Sequence, residues 1–369
     1  MRLLHLSTFL QGGAGRAITD LALAQHAAGH LVSVAIEDKD EPGYQSYPEY
    51  LERLKAAGIA VHRVHSTFKR DLSQNLAAVD QLRVLPEIEL LHLVHAHAAV
   101  PSLIARLSTA RARRRVAIVQ TMHGWGTQKT SEQAASDVVA LNLADRVVVP
   151  SATSAALLDS FGVDKDLVRV VPYGVRDEHQ RALPDDALLA DLRRRWSLMV
   201  GCIGTIGERK NQKLVIDALA QVRGAVVGCV FIGDGDVAGL SSYARMRGVG
   251  DRAVVLGYRK DASQYLRRMD ACVLASTSEG QPLTILEAFR DRVPVIAADI
   301  PELREIIDHR VTGWLCTSGD ARSLAAMLEK AARGAARCVV QSARERYEER
   351  YTVDQMVDGY ASVYGQAVA

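Results

Sequence analysis

The chain has 369 residues, 48% hydrophobic and 24% charged, ordinary values for a folded globular protein that argue against disorder and fibrous architecture. At about 100 to 200 residues per domain, this length asks for two domains or one large one. With 45 basic against 43 acidic residues the formal net charge is +2, so there is no global field for nucleic acid and any basic surface must be local.

No apolar run approaches the roughly 18 residues of a membrane span, and Met1-Arg2-Leu3-Leu4-His5-Leu6 lacks the hydrophobic length and cleavage site of a leader. Cytoplasmic residence is the expectation. Cys202, Cys229, Cys272, Cys316 and Cys338 are odd in number, widely spaced and without a Cys-x-x-Cys pair, so they read as small core residues.

Short apolar runs alternate with amphipathic stretches of helical length, the pattern of an α/β chain with a parallel sheet and crossover helices. In the first half the expected strands are Leu3 to Leu6, Leu31 to Ile36, Val61 to Val64, Leu91 to His95, Val116 to Thr121, Arg146 to Val149 and Val168 to Val171. Between Tyr173 and Arg195 the apolar signal stops and charges crowd around Pro184, which places a domain boundary there. A second series follows, with strands near Leu198 to Ile203, Ala225 to Ile232, Ala253 to Leu256, Ala271 to Ala275, Val293 to Ala297 and Gly313 to Leu315. Thr352 then stands as N-cap of a last helix running to about Tyr364. Two successive α/β domains facing a cleft are the expected architecture.

The stretch Ser276-Thr277-Ser278-Glu279-Gly280-Gln281-Pro282-Leu283-Thr284-Ile285-Leu286-Glu287 reads as strand, polar loop and helix. Pro282 suits the first helical turn, where a missing N–H costs little. The amides of Leu283 and Thr284 would then point into the loop and make an anion site with the helix dipole. At about 1.5 Å rise per residue, Glu279 and Glu287 stand up to roughly 12 Å apart, too far to share one reacting atom but suited to the two ends of a hydroxyl-rich ligand with phosphate in its middle. A nucleotide sugar has that shape. Spacing alone equally allows two solvated glutamates at a helix end. In Gly204-Thr205-Ile206-Gly207-Glu208-Arg209-Lys210-Asn211-Gln212 a strand runs into a glycine-containing loop and a helix beginning near Asn211, with Lys210 at the mouth, where a cation could stabilise a diphosphate leaving group. A solvated basic loop is the plain alternative.

The ordered series Gly12-Gly13-Ala14-Gly15-Arg16, Val94-His95-Ala96-His97, Thr121-Met122-His123-Gly124, Val171-Pro172-Tyr173-Gly174-Val175, Gly233-Asp234-Gly235, Gly257-Tyr258 and Glu279 to Glu287 resembles glycosyltransferase family 4 over nearly the whole chain. Ile300-Pro301-Glu302-Leu303-Arg304-Glu305 and Thr312-Gly313-Trp314-Leu315 resemble its later segments. The resemblance implies a GT-B fold: Rossmann-like domains over 1–175 and 176–350, with 351–369 returning to the first. It also implies metal-independent transfer of a sugar from a nucleotide donor, UDP-linked at the family level, with retention at the anomeric carbon and no cofactor. Carried over, Glu279 would contact the transferred sugar, Glu287 the donor ribose and Lys210 the diphosphate. Amides of the segment Gly280, Gln281, Pro282, Leu283 and Thr284 would contact the sugar and phosphates, and the segment around Tyr258 would border the base. His123 would face the sugar across the cleft, and the loop holding Gly13 and Gly15 would sit beside donor phosphate and acceptor. Such a site orients the acceptor hydroxyl on the leaving group's own face, and the departing phosphate oxygen can take its proton without a protein nucleophile.

The sequence departs from the family at three places. Thr205 stands where an Arg is common, with Arg209 beside Lys210 as a substitute; Tyr173 stands where Asn is usual; Arg176 lies close to the usual acidic position. Half of a dinucleotide fingerprint at Gly12 to Gly15 lacks the Gly-x-Gly-x-x-Gly spacing. His95 reads as a structural histidine and His97 as a cleft-edge residue, with no third metal ligand suitably spaced. Asp234-Gly-Asp236 and Asp38-Lys-Asp40 imitate an Asp-x-Asp metal motif and are assigned to turns. Trp125 either contacts acceptor or covers the domain interface. Arg106, Arg111, Arg113, Arg114 and Arg115 form a basic cluster that reads first as a solvated helix end, with weak attraction to the inner face of an anionic membrane as the alternative.

Transfer to a glycan, a lipid-linked glycan or a small-molecule acceptor is the leading expectation. An epimerase or hydrolase of the same fold, or a noncatalytic nucleotide-sugar-binding subunit, are the competing ones.

Overall fold

The computed structural model describes residues 1–65, 67, 70–85, 87–126, 129–177, 186–260 and 262–369, with positions 72 and 336 by backbone alone. Pro184, the centre of the expected boundary, lies outside the described residues. The chain divides into two compact units, Met1–Gly174 with Val353–Ala369, and Val175–Thr352.

In the first unit the order is β1 (Arg2–Leu6), α1 (Gly12–Ala27), β2 (Leu31–Glu37), α2 (Pro48–Ala56), β3 (Ala60–Val64), α3 (Leu72–Arg83), β4 (Leu93–Ala96), α4 (Ala99–Thr109), β5 (Ala117–Thr121), α5 (Ser131–Asn142), β6 (Arg146–Val149), α6 (Ala152–Ser160) and β7 (Val168–Val170). The second continues with α7 (Ala187–Arg195), β8 (Leu198–Ile203), α8 (Gln212–Gln221), β9 (Val227–Ile232), α9 (Val237–Met246), β10 (Ala253–Gly257), α10 (Ala262–Leu266), β11 (Ala271–Leu274), α11 (Leu283–Arg290), β12 (Val295–Ala298), α12 (Pro301–Arg304), β13 (Trp314–Cys316), α13 (Ala321–Ala332) and α14 (Val340–Arg350). Helix α15 (Val353–Val368) belongs to the first unit, where it packs on α1; it begins directly after Thr352 and outruns the expected end at Tyr364. All thirteen expected strands form, with ends moved by at most two residues.

Both sheets are parallel, ordered β3-β2-β1-β4-β5-β6-β7 and β10-β9-β8-β11-β12-β13. Helices cover both faces of such sheets, which is why strands like β8 (LMVGCI) and β9 (VGCVFI) are apolar at nearly every position and fully buried. Each order reverses once, between β1 and β4 and between β8 and β11. A doubly wound sheet opens a crevice at the carboxyl ends of the strands at that reversal.

Strand alternation then sorts the side chains. In the first unit Leu4, Leu6, Val94 and Ile118 join one core cluster with residues of α3 and α4. Their neighbours His5, His95 and Thr121 take the opposite face. In the second unit a single cluster joins Val200, Cys202, Cys229, Phe231, Val273 and Ile296 with α8 and α13.

Candidate functional site

At the reversal of the second sheet, the loop after β8 carries Arg209 and Lys210, and the loop after β11 carries Glu279. Thr277 N–H donates to the Arg209 carbonyl at 2.9 Å, joining the two loops. Gln212, the first residue of α8, braces the first loop from below: its Oε1 accepts from Gly207 N–H and its Nε2 donates to the Thr205 carbonyl at 3.0 Å. Asn211 caps α8 in the left-handed region, φ 51°, a conformation Asn tolerates better than most residues. Gly233 matters for close approach, since a Cβ there would lie 2.0 Å from the Gly204 carbonyl oxygen.

Held this way, Lys210 Nζ donates to Glu279 Oε1 at 2.6 Å and Arg209 Nη1 to Oε2 at 2.9 Å and to the Ser278 carbonyl at 3.0 Å. The Glu279 side chain is 5% exposed, Lys210 13% and Arg209 48%. Burial by itself would raise the Glu279 pKa; the Lys210 and Arg209 charges outweigh it and hold the carboxyl below its ordinary value. The carboxylate therefore stays ionised at neutral pH and keeps both cations in place. Helix α11 starts just beyond, so the Leu283 and Thr284 amides lie in its first turn, without helical partners. Pro282 is the cap before the helix rather than a residue of its first turn, where the sequence placed it. Gly280 is half-buried and Gln281 buried. Glu287 is 4% exposed on α11, so it is not the solvated helix-end residue that spacing allowed. Tyr258 follows β10 and is exposed.

The corresponding reversal of the first sheet is filled by rings. Register pairs His5 of β1 with His95 of β4. His5 Nδ1 and His97 Nε2 are 2.9 Å apart, His97 Nδ1 and His123 Nε2 3.1 Å, and His123 Nδ1 and the Tyr173 hydroxyl 2.6 Å. Burial lowers the His5 and His123 pKa values to about 4 and those of His95 and His97 well below the usual value, so all four rings are neutral at pH 7. A recess lined by His97, His123 and Tyr173 with Ala17, Ile18, Leu21, Met356 and Tyr360 adjoins them.

Several sequence expectations are corrected here. A third histidine does stand beside His95 and His97, because strand order brings His5 from the far end of the unit; the three offer ring nitrogens within 4.8 Å of one another. Each of those nitrogens already has a hydrogen-bond partner, so the cluster is a hydrogen-bonded chain in this structure. Residues 12 to 15 are the first turn of α1 and not a loop. Gly13 is exposed there; Gly15 packs closely, its N–H bonding to the Gln11 carbonyl, and a Cβ on it would lie 2.3 Å from the Leu10 carbonyl carbon. Trp125 stacks on Phe161 at 4.7 Å and carries the Lys129 ammonium 3.7 Å from its ring centroid, both partners within the first unit. Asp236 caps α9 through Gly239 N–H and Asp234 accepts from Gly235 N–H, as the turn reading required. Gln25, Gln212, Tyr360 and Tyr364 were missed; only the pairing order of the strands and helices, which no local pattern states, would have brought them to notice.

Comparison with known proteins decides the family. The Glycosyltransferase Family 4 model matches residues 11–179 and the Glycosyl transferases group 1 model residues 197–333, between them most of the chain. This chain belongs to glycosyltransferase family 4. As a family 4 glycosyltransferase it is 24% identical over 304 residues to the N-acetyl-alpha-D-glucosaminyl L-malate synthase of Bacillus anthracis, covering 79% of this chain and 78% of that one. A UDP-Gal:alpha-D-GlcNAc-diphosphoundecaprenol alpha-1,3-galactosyltransferase of Escherichia coli is 23% identical, covering 70% of this chain and 73% of the relative. Among solved structures, Anabaena HepE in complex with UDP and glucose matches with a TM-score of 0.85 at 22% identity, over 99% of both chains, which shows the GT-B fold. No helix among the described residues is long and apolar enough to cross a membrane.

Proposed function

We propose that this glycosyltransferase moves a sugar from a UDP-linked donor to a glycan, lipid-linked glycan or small-molecule acceptor, with retention at the anomeric carbon and without a metal ion. The Lys210–Glu279–Arg209 constellation beside the first turn of α11 carries this reading. An ammonium has three donors and Glu279 takes one, which leaves Lys210 N–H groups for a diphosphate oxygen. Arg209 supplies the second cation that Thr205 lacks. The α11 amides add fixed dipoles aimed at the same charge, and such preorganised donors lower the barrier most where negative charge builds on a leaving group. Glu279, ionised and anchored, accepts from hydroxyls of the transferred sugar; Glu287 takes the ribose and Tyr258 borders the base. His123 is assigned to the sugar as a neutral hydrogen-bonding group, since burial denies it charge at pH 7. For weak membrane contact the first unit offers Arg111 and Arg113, because Arg106 and Arg115 pair with Asp145 at 3.0 and 2.8 Å.

The test is a thermal-shift series with UDP, GDP and a panel of UDP-sugars in EDTA, followed by turnover with the stabilising donor and proton NMR of the product. A ligand at 100 times its Kd stabilises by about 2.7 kcal/mol, enough to raise the melting temperature by several degrees. Stabilisation in EDTA and a product of the donor's own anomeric configuration are expected. An absolute requirement for manganese, or an inverted product, would overturn the corresponding part, and isomerised sugar without acceptor would favour the epimerase.

A further inference from the structure

The rings at the reversal of the first sheet belong to one continuous chain of hydrogen bonds. From Gln25 on α1 one arm runs through His5, His97 and His123 to Tyr173; the other runs from Gln25 Nε2 to the Tyr364 hydroxyl at 3.1 Å, on to His95 Nδ1 at 2.7 Å, from His95 Nε2 to Thr121 Oγ1 at 2.7 Å and from there to the Tyr360 hydroxyl at 3.0 Å. Gln25 Oε1 faces His5 Nε2 at 2.7 Å. Gln25, His5, His95, Thr121, Tyr360 and Tyr364 are all at most 3% exposed, so water does not interrupt that part of the chain.

A neutral imidazole has one donor and one acceptor, and a hydroxyl can turn its single proton either way. Along an unbroken row of such groups, one fixed end orients every bond. The fixed group here is the Gln25 amide, whose oxygen can only accept and whose nitrogen can only donate. Its carbonyl makes His5 Nε2 the donor, so His5 Nδ1 must accept from His97 Nε2–H, His97 Nδ1 from His123 Nε2–H, and His123 Nδ1 from the Tyr173 hydroxyl. In the other arm the amide NH₂ donates to Tyr364, which donates to His95 Nδ1, leaving His95 Nε2–H for Thr121. All four rings carry the proton on Nε2. Turning the amide over would move all four protons to Nδ1 together.

We infer that Gln25 is a positioning residue that sets the tautomer of His123 from three hydrogen bonds away, so that His123 meets substrate through an Nδ1 that accepts. The last clause rests on the assignment of His123 to the donor sugar; the relay itself does not. It gives a chemical purpose to Tyr173: its hydroxyl holds the His123 Nδ1 lone pair until a sugar hydroxyl takes its place.

The experiment uses the full chain labelled with 15N-histidine and long-range proton–nitrogen spectra at pH 7, with single histidine substitutions to assign the rings. Four neutral Nε2–H rings at positions 5, 95, 97 and 123 are expected in the unsubstituted protein. Opposite tautomers at His97 and His123, or a charged ring among the four, would overturn the relay without any variant being needed. In Gln25→Met the His5 N–H faces a thioether, and His5, His97 and His123 should gain Nδ1–H population together; a His123 signature that stays fixed while that of His5 changes also overturns it. The transfer kcat should fall in proportion to the lost Nε2–H fraction, with KM for the donor unchanged. Turnover that ignores the tautomer ratio would remove His123 from the sugar while leaving the relay standing.

Discussion

The two units wind their strands in the same order and reverse at the same place, yet they fill that place with opposite chemistry. Between β1 and β4 lie neutral rings buried in the sheet; between β8 and β11 lie Cys202, Gly201 and Cys272, with the charges lifted onto the loops above. Nine of the eleven histidines belong to the first unit, and all five cysteines to the second. The topology supplies a crevice, and the side chains decide whether hydrogen-bonded rings or paired charges fill it. Neutral rings can be buried because each closes its hydrogen bonds on the next. A carboxylate as buried as Glu279 needs cations beside it, and these need a partly open rim if they are to reach an anionic ligand.

Acid should separate the units most. His5 and His123 have pKa values near 4 when folded, against 6.5 ordinarily, and burial holds His95 and His97 well below the ordinary value too. These are depressed histidines: below pH 6.5 the unfolded chain takes up protons that the folded chain refuses, so stability is full above that pH and falls as pH drops toward 4. Each ring contributes up to about 1.4 kcal/mol per pH unit across that window. Glu279 is a depressed carboxyl, so its contribution persists until pH falls below the ordinary carboxylate value of 4.5. Hydrogen exchange read by mass spectrometry at pH 7, 6 and 5, corrected for intrinsic rates, should show β1, β4 and β5 losing protection before β8, β9 and β11. The reverse order would break the comparison.

Substituting Lys210→Ala tests the charged crevice. It leaves Glu279, 5% exposed, with the half-exposed Arg209 as its remaining cation among the described residues. On the proposed reading of Lys210 as donor to the leaving group, its loss should lower kcat by about 10² to 10³, as for other preorganised charge-stabilising groups. The circular dichroism spectrum should be retained. A tenfold effect or less would mean that the helix amides and Arg209 carry the phosphate.

Much of this arrangement was legible in the sequence. The strands were, because fully buried parallel strands are continuous apolar runs, as at Leu198–Ile203. Lys210 and Glu279 were, because each follows such a run in a loop that opens a helix. The histidine chain was not: His5 and Gln25 are 20 residues apart, His5 and His97 92, and Gln25 and Tyr364 339, so no window of sequence contains their relation. A glycine needed for packing against a neighbouring backbone, as Gly15 is against Leu10, looks in sequence like one needed only for a ligand, and the two are easily confused.

That last confusion can itself be tested. Gly15→Ala and Gly233→Ala each drive a Cβ into backbone, at 2.3 Å from Leu10 and 2.0 Å from Gly204 respectively. Each should cost about 1 to 3 kcal/mol, read from denaturant midpoints. Their effects on transfer should differ. Gly204 opens the loop that carries Lys210, so Gly233→Ala should also lower kcat; Gly15→Ala should leave kcat within a few-fold in the molecules that remain folded.

The smallest expected effect concerns Arg209. Its side chain is 48% exposed, so water and salt screen it, and Arg209→Ala should reduce kcat/KM by about tenfold or less, with the penalty shrinking as ionic strength rises. Lys210, at 13% exposure, should show a weaker salt dependence. Thr205 stands where the family resemblance leads one to expect an arginine, so Thr205→Arg placed in the Arg209→Ala background asks whether the two positions serve one phosphate. Recovery of most of the lost kcat/KM would mean that the cation moved along the loop while its task stayed the same. No recovery, with the fold intact, would mean that Arg209 acts by holding Glu279 and Ser278 in place and that the diphosphate is met by Lys210 and the α11 amides alone.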